Sequence, residues 1–329
     1  MAELTKKKKV LVTGGGGYIG SSTVRHLLSL NYEIYVLDNL SQGPEGVNCF
    51  IGYPTYNFIK GDLTDIKLLE DLLRKVEFVV HLAAIVGEGA CMKDQQLTRK
   101  INIEGTKTLI NLCSKNKIKR LIFFSTCSSY GVQNTSIMAN EETDLNPVSL
   151  YAESKITMEE YLKKNYDPDL CFTILRPSTV HGPSPRMRFD LIVNHLCKDA
   201  ILYNKLEIFG GDLWRPLMWV GEVGRVVDII LNSEKNLIKN EIFNLGNTSA
   251  NLKKKEIAEI IKNKFIPDLN LKFRGEDQDL RSYRVDFSKI EKNLYFKLEK
   301  NIEEAIGELL FCLKNKLYFE PENKKYRND

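Results

Sequence analysis

Glycines at 14, 17 and 20 follow directly on the β-branched run VLVT and open an amphipathic stretch, so a strand must turn sharply into a helix there. Glycine suits each position because the backbone must bend tightly, approach a pyrophosphate closely and let the helix pack on the strand, while the helix amino end favours negative charge. A lone glycine motif says little. Here Asp38 ends the next extended run about 20 residues on, where a carboxylate accepts hydrogen bonds from adenosine ribose hydroxyls and repels a 2′-phosphate. The two features together predict NAD rather than NADP. Asp62, after the third run, either closes the adenine end of that pocket or caps the helix that follows. HLAA at His81 to Ala84 ends the fourth run with small residues, as a backbone passing beside a ribose needs; His81 itself reads as a structural strand residue.

From Val10 onward short β-branched runs alternate with longer amphipathic stretches, the signature of βαβ units and a parallel sheet. KVLVTG, EIYVLDN, NFIKGD, FVVHLAA, RLIFFST and CFTILRP are predicted strands, and EIFNLG is a late seventh that returns to the same sheet. Ile19 to Leu30 and INIEGTKTLINLCSKN carry apolar residues near helical period. The fold class is therefore α/β, a Rossmann-type doubly wound parallel sheet with a smaller, discontinuous C-terminal substrate-binding lobe. Residues 1–182 with about 241–264 make the NAD-binding domain; about 183–240 and 265–318, richer in Pro, Gly and Arg, make the lobe, lying over the carboxyl ends of the strands where such sheets bind ligands. Residues 319–329 form a polar tail expected to fray.

Composition removes several alternatives. A net charge of +4 with scattered basic residues lacks the basic face and interleaved aromatics of a nucleic-acid binder, and the KKKK run at Lys6 to Lys9 reads as a solvated lead-in to the first strand. No window approaches the roughly 20 apolar residues of a membrane span, and charge directly precedes VLVTG without a cleavage site, so neither a membrane anchor nor a signal peptide is expected. Seven widely spaced cysteines without a CxxC pair read as reduced thiols in a cytoplasmic protein, and four histidines show no ligand spacing, so no metal is expected.

The chemistry lies in YAESK. Tyr151 and Lys155 stand four apart and share one helical face. A tyrosine hydroxyl is a poor base at neutral pH, but a lysine ammonium and a positive nicotinamide ring would stabilise its phenolate. A further hydroxyl must hold the substrate alcohol, and FFSTCSSYG offers Ser125, Thr126, Ser128 and Ser129.

With these motifs in place the chain resembles the extended short-chain dehydrogenase/reductase family, in its NAD-dependent nucleotide-sugar epimerase/dehydratase branch. The likeness runs from VLVTGGGGYIG through DNL, GDLTD, HLAA, INIEGT, FFSTCSSYG and YAESK to LRPSTVHGPSPRMRFD and RSYRVDFSKI. By position it implies that Gly14, Gly17, Tyr18, Ile19 and Gly20 meet the pyrophosphate, and that Asp38, Asn39 and Leu40 meet the adenosine. Asp62 and Leu63 match the adenine pocket, Leu82, Ala83, Ala84 and Asn102 line the cofactor, and Pro177 and Ser178 lie near the nicotinamide. Thr126, four residues before the Tyr of YG, matches the catalytic hydroxyl, with Tyr151 and Lys155 as base and supporting lysine. Asn194, Arg215 and Arg281 fall where the family grips the nucleotide diphosphate, with Thr179 beside the sugar; Arg186 and Arg188 are further candidates that could equally be surface or salt-bridge residues. The resemblance also implies a homodimer built on helices around 97–115 and 151–165.

Departures bear on the reaction. Members that eliminate water across C5 and C6 usually carry an acid pair directly after the catalytic Thr, and decarboxylating members tend to carry Glu at the second of these positions; here Cys127 and Ser128 stand there. LMWVGEV replaces a His-Val-Asp type segment and His181 the usual Tyr of a YGP turn. The expected function is a nucleotide-diphosphate-sugar epimerase acting at C4 through a transient 4-keto sugar. The alternatives are a 4-ketoreductase or 4-oxidase with net redox, a 4,6-dehydratase, or a dinucleotide-sensing protein that has lost catalysis.

Overall fold

The computed structural model describes residues 7–165, 167–276 and 281–328. Six strands come first: β1 (Lys9–Thr13), β2 (Glu33–Asp38), β3 (Tyr56–Lys60), β4 (Phe78–His81), β5 (Arg120–Phe124) and β6 (Phe172–Pro177). Then follow β7 (Thr179–His181), β8 (Lys205–Ile208), β9 (Trp214–Trp219), β10 (Glu241–Leu245), β11 (Asn251–Lys253) and β12 (Asn270–Phe273). The large sheet has seven strands in the order β10-β6-β5-β4-β1-β2-β3, all paired in parallel. EIFNLG thus returns to the sheet as expected, Glu241 pairing with Thr173 and Leu245 with Pro177.

Period-two alternation sends Val10, Val12, Ile34, Val36, Val80 and Ile122 to one face and Leu11, Leu37, Val79, Leu121 and Phe123 to the other. Both faces are covered by helices, which is why these runs read as near-continuously apolar. The helices that matter for the site are α1 (Tyr18–Ser29), α2 (Glu45–Asn48), α3 (Ile66–Leu73), α4 (Glu88–Lys93), α5 (Gln95–Arg99), α6 (Thr106–Lys115), α7 (Leu150–Lys164), α8 (Ile192–Tyr203) and α9 (Gly221–Asn232). The helix expected over INIEGTKTLINLCSKN opens with a π-helical turn, Lys100–Gly105, before α6 begins. That wider turn carries Asn102, whose amide is drawn to the backbone of Ile85.

After β3 the chain crosses back to β4 on the far side of β1, so connections leave the carboxyl ends of β1 and β4 in opposite directions and open a crevice between them. Beyond it, β11, β9 and β7 form a three-stranded sheet, and β12 pairs with β8. No helix among the described residues is long and apolar enough to cross a membrane.

Within the described part of the segment after Phe319, the chain packs against the lobe at Tyr326. Tyr326 is buried and stacks edge-on with Phe189 and Tyr318 at centroid distances of 5.4 and 6.0 Å. The Phe189 N–H donates to the Tyr326 carbonyl at 2.8 Å. The polar composition of this segment concealed one aromatic anchor, Tyr326.

Candidate active site

The crevice is a cleft of about 610 Å³ that runs from the carboxyl ends of β2 and β3 to those of β5 and β6. Gly14, Gly17 and Gly20 with Tyr18 and Ile19 line its middle, where α1 begins. Gly14 has φ +71°, and a Cβ there would stand 2.7 Å from the backbone of Ala83; one on Gly20 would stand 2.2 Å from the Gly14 carbonyl. Only glycine leaves this cradle open.

At the β2 end lie Asp38, Asn39, Asp62 and Leu63. The Asp38 carboxylate accepts the N–H of Gly16 at 2.9 Å and of Leu40 at 2.8 Å, which fixes it at the rim. Gly16, which the spacing argument passed over, belongs to the site: its Cβ would lie 3.0 Å from Asp38 Oδ2. Leu40, with φ +60°, shapes this turn without lining the cleft. Asn39 Nδ2 donates to Asp62 Oδ2 at 2.9 Å, latching the two loops. Burial works to raise the Asp62 carboxyl, but the Thr64 N–H and hydroxyl and the Asn39 amide hold it below its ordinary range. Asp62 is not the helix cap; Asp65 caps α3 by accepting the Leu68 N–H at 3.0 Å.

Leu82, Ala83 and Ala84 form the wall beyond β4. Asn102 does not line the cleft but braces that wall, accepting the Ile85 N–H at 2.8 Å and donating to its carbonyl at 3.0 Å. His81 is fully buried between the hydroxyls of Thr13 (2.7 Å) and Thr106 (2.9 Å), and burial beside Lys155 pushes its pKa down to about 3. It is a neutral structural residue.

At the β5 and β6 end stand Tyr151, Lys155 and Pro177. Ser149 caps α7 by accepting the Ala152 N–H at 3.1 Å, which starts the helix so that Tyr151 and Lys155 share its inward face. Burial pushes the Tyr151 phenol above its ordinary value, and the opposing cation is Arg188. Lys155 Nζ lies 5.9 Å from the Tyr151 ring centroid and 5.0 Å from that of Phe123, and burial pushes its pKa down to about 8. The protein alone therefore keeps the phenol protonated; the positive ring of a bound nicotinamide acts in the opposite direction.

Thr126 follows β5, buried, with its hydroxyl accepting the Ser128 N–H at 3.0 Å; its neighbour Ser125 reaches the cleft lining. Ser178 is buried, its hydroxyl without a partner among the described residues, and Thr179 begins β7 beside Leu217. Sequence reasoning missed what lies beneath them. Arg176 and Glu159 form a buried bidentate pair, at 3.0 and 2.6 Å, and Ser125 donates to the same carboxylate. Glu159 stands four residues after Lys155, so a charge repeated on the buried face of α7 was the available signal.

The three residues expected on the substrate diphosphate and the two further candidates separate. Arg215 on β9 donates to the carbonyls of Trp214 (2.9 Å) and Arg281, so these two arginines do meet. Asn194 is fully buried and holds structure together: its oxygen accepts the Gly182 N–H at 2.9 Å, and its nitrogen donates to the Tyr18 hydroxyl and the Arg188 carbonyl. Arg186 lines the dinucleotide cleft near Gln42, away from Arg215. Arg188 lines it too, ion-paired with Asp190. Among the described residues no His, Cys, Asp and Glu cluster could hold a metal.

A glycine cradle at a helix start, a carboxylate at the end of the second strand and a Tyr/Lys pair at the far end of one crevice are the features of a dinucleotide-dependent enzyme. The chain belongs to the NAD dependent epimerase/dehydratase family, whose model matches residues 10–246. It is similar to a putative UDP-glucose 4-epimerase of Methanocaldococcus jannaschii, 30% identical over 93% of this chain and 98% of that protein. It is also similar to a dTDP-D-glucose 4,6-dehydratase of Dictyostelium discoideum, 30% identical over 73% of this chain and 58% of that one. Among solved structures, a UDP-glucose 4-epimerase of Thermotoga maritima with UDP-glucose superposes with a TM-score of 0.84 at 25% identity, covering 94% of this chain and all of that one. The chain is thus an enzyme that uses NAD to modify a nucleotide sugar.

Proposed function

We propose that this enzyme is a nucleotide-diphosphate-sugar 4-epimerase. The observation that carries the reading is the pair of residues after Thr126. Cys127 is fully buried, its thiol donates to the Arg176 carbonyl at 3.0 Å, and burial raises its pKa, so it supplies no acid or base to the cleft. Ser128 interacts with Tyr283. Elimination across C5 and C6 needs an additional acid and base, and these positions offer neither, while Tyr151 and Lys155 remain in place.

Bound NAD would supply a hydride acceptor and donor, with the Gly14–Gly20 loop and Asp38 holding it in the cleft. Tyr151 takes the proton of the sugar 4-hydroxyl through its phenolic oxygen, Thr126 hydrogen-bonds that hydroxyl, and Lys155 supports the phenolate. Tyr151 would return that proton to the 4-oxygen once the 4-keto sugar has turned, which restores the residue at the end of each turnover. Arg215 and Arg281 anchor the nucleotide while the sugar reorients, remote binding serving the reacting centre.

The test is incubation of the NAD-loaded protein with UDP-, dTDP- and GDP-sugars, read by NMR. A C4 epimer without lasting nicotinamide absorbance supports the reading; stoichiometric NADH accumulation selects a net oxidase and overturns it. A homodimer through helices around 97–115 and 151–165 accompanies this reading, and a one-chain mass by light scattering at micromolar concentration refutes it.

A further inference from the structure

One arginine in the cleft is used by none of these steps. Arg186 lies in the turn after β7, is 2% exposed, and lines the cleft together with the glycine loop. Its backbone is fixed against α1, the N–H donating to Ser21 Oγ at 3.4 Å. Its Nη2 donates to Gln42 Oε1 at 2.7 Å and to the Arg327 carbonyl at 3.1 Å, yet its Nε has no partner among the described residues. The carboxylates around it are engaged elsewhere: Asp38 by Gly16 and Leu40, Asp190 by Arg188, and Glu45 by Lys325 at 3.8 Å. A buried guanidinium with neutral partners and a spare N–H is costly unless an anion completes it. The same cleft contains the start of α1, whose glycine turn and free N–H groups favour a phosphate.

What holds Arg186 there is the segment 318–328. The Tyr318 hydroxyl accepts the Ser184 N–H and donates to the Ser184 carbonyl, both at 3.1 Å. Tyr326 is locked by the Phe189 N–H and by the aromatic group described above. These anchors deliver Arg327 and Asn328 to the cleft lining, the first offering its carbonyl to Arg186 and the second reaching the Val86 carbonyl, beyond β4, at 3.5 Å.

We propose that Arg186 binds the diphosphate of the NAD cofactor and that Tyr318–Asn328 is a strap that steadies Arg186 across the cleft, so that cofactor exchange requires the strap to detach. This moves Arg186 from the substrate to the cofactor, and it holds whichever reaction the enzyme performs.

Two diphosphates meet this enzyme, and the test separates them. NADH affinity and release rate are measured by fluorescence on cofactor-free protein, and UDP, dTDP and GDP affinity by calorimetry on NAD-loaded protein, for Arg186→Ala, Arg186→Lys and Tyr326→Ala. Loss of a charge-assisted contact should weaken NADH binding about ten- to a hundredfold in Arg186→Ala, with Arg186→Lys intermediate. Tyr326→Ala should speed NADH release, and adding it to Arg186→Ala should change little, because both act through one contact. Nucleoside diphosphate affinity should stay within about twofold in every variant. Unchanged NADH binding in Arg186→Ala overturns the proposal, and a selective loss of nucleoside diphosphate binding returns Arg186 to the substrate. Should Arg186→Ala fail to fold, Arg186→Lys carries the same comparison, with thermal melting of the cofactor-free protein as the check on folding.

Discussion

Replacing Glu159 by Gln leaves a buried guanidinium facing a neutral amide. Glu159 and Arg176 are each 1% exposed, and the carboxylate accepts three donors: Arg176 Nε at 3.0 Å, Arg176 Nη2 at 2.6 Å, and the Ser125 hydroxyl. The amide oxygen of Gln can keep one or two of these, without the charge. Two weakened charge-assisted bonds at about 1.5–3 kcal/mol each give about 3–6 kcal/mol. Breaking one side of a buried pair costs about 3–5 kcal/mol in other proteins, and about 4 is the value expected here. Urea unfolding of the cofactor-free protein should show it as a midpoint lowered by about 1 M or more. The double change Glu159→Leu with Arg176→Met removes both charges and should recover most of the loss. A single variant within about 1 kcal/mol of the parent, or a double variant no better than the single, would refute the account of this pair as a mutually dependent unit.

Tyr151→Phe should lower kcat about 10²- to 10⁴-fold while stoichiometric NAD is retained, read by turnover and by released cofactor. Gly14→Ala should abolish NAD retention on gel filtration, since its Cβ would stand 2.7 Å from the Ala83 backbone at φ +71°. Burial lowers the Lys155 pKa to about 8 from its ordinary 10.5, so the unfolded chain holds a proton that the folded one lacks between these values. Stability relative to Lys155→Met should therefore rise with pH across that window, measured by urea midpoints of cofactor-free protein. Ellman's reagent should modify Cys49 and Cys312 first, and Cys91, Cys113, Cys127, Cys171 and Cys197 only on unfolding.

The features readable from residues alone were those enforced by local rules. A strand buried on both faces has to be apolar throughout, and a turn beside Ala83 has to be glycine, so the sheet, the cradle and the Tyr151/Lys155 face were all legible. What escaped depends on partners distant in the chain. Arg186 and Arg215 look alike in sequence, yet one packs beside Ser21 and Gln42 and the other beside Arg281, and nothing local distinguishes them. Asn194 was expected on the nucleotide diphosphate from the family resemblance alone, but its amide is spent on Gly182, Tyr18 and Arg188. Beside Lys155, a second cation bears on Tyr151 that nothing local announces: Arg188, 37 residues further on (188 − 151). The strap was hidden because one buried tyrosine outweighs many polar neighbours.

The pairing of β10 with β6 has a consequence for synthesis. In the finished protein every residue of β6 is buried, and its outer edge pairs with Glu241–Leu245 and with the Asn240 N–H, which donates to the Phe172 carbonyl at 2.7 Å. A ribosome adding about 5–20 residues per second must translate residues 178–240 before that partner exists. For those seconds the nascent chain displays a long apolar template to which any other extended segment can add. Premature termination anywhere in the interval would yield an aggregation seed rather than a smaller enzyme.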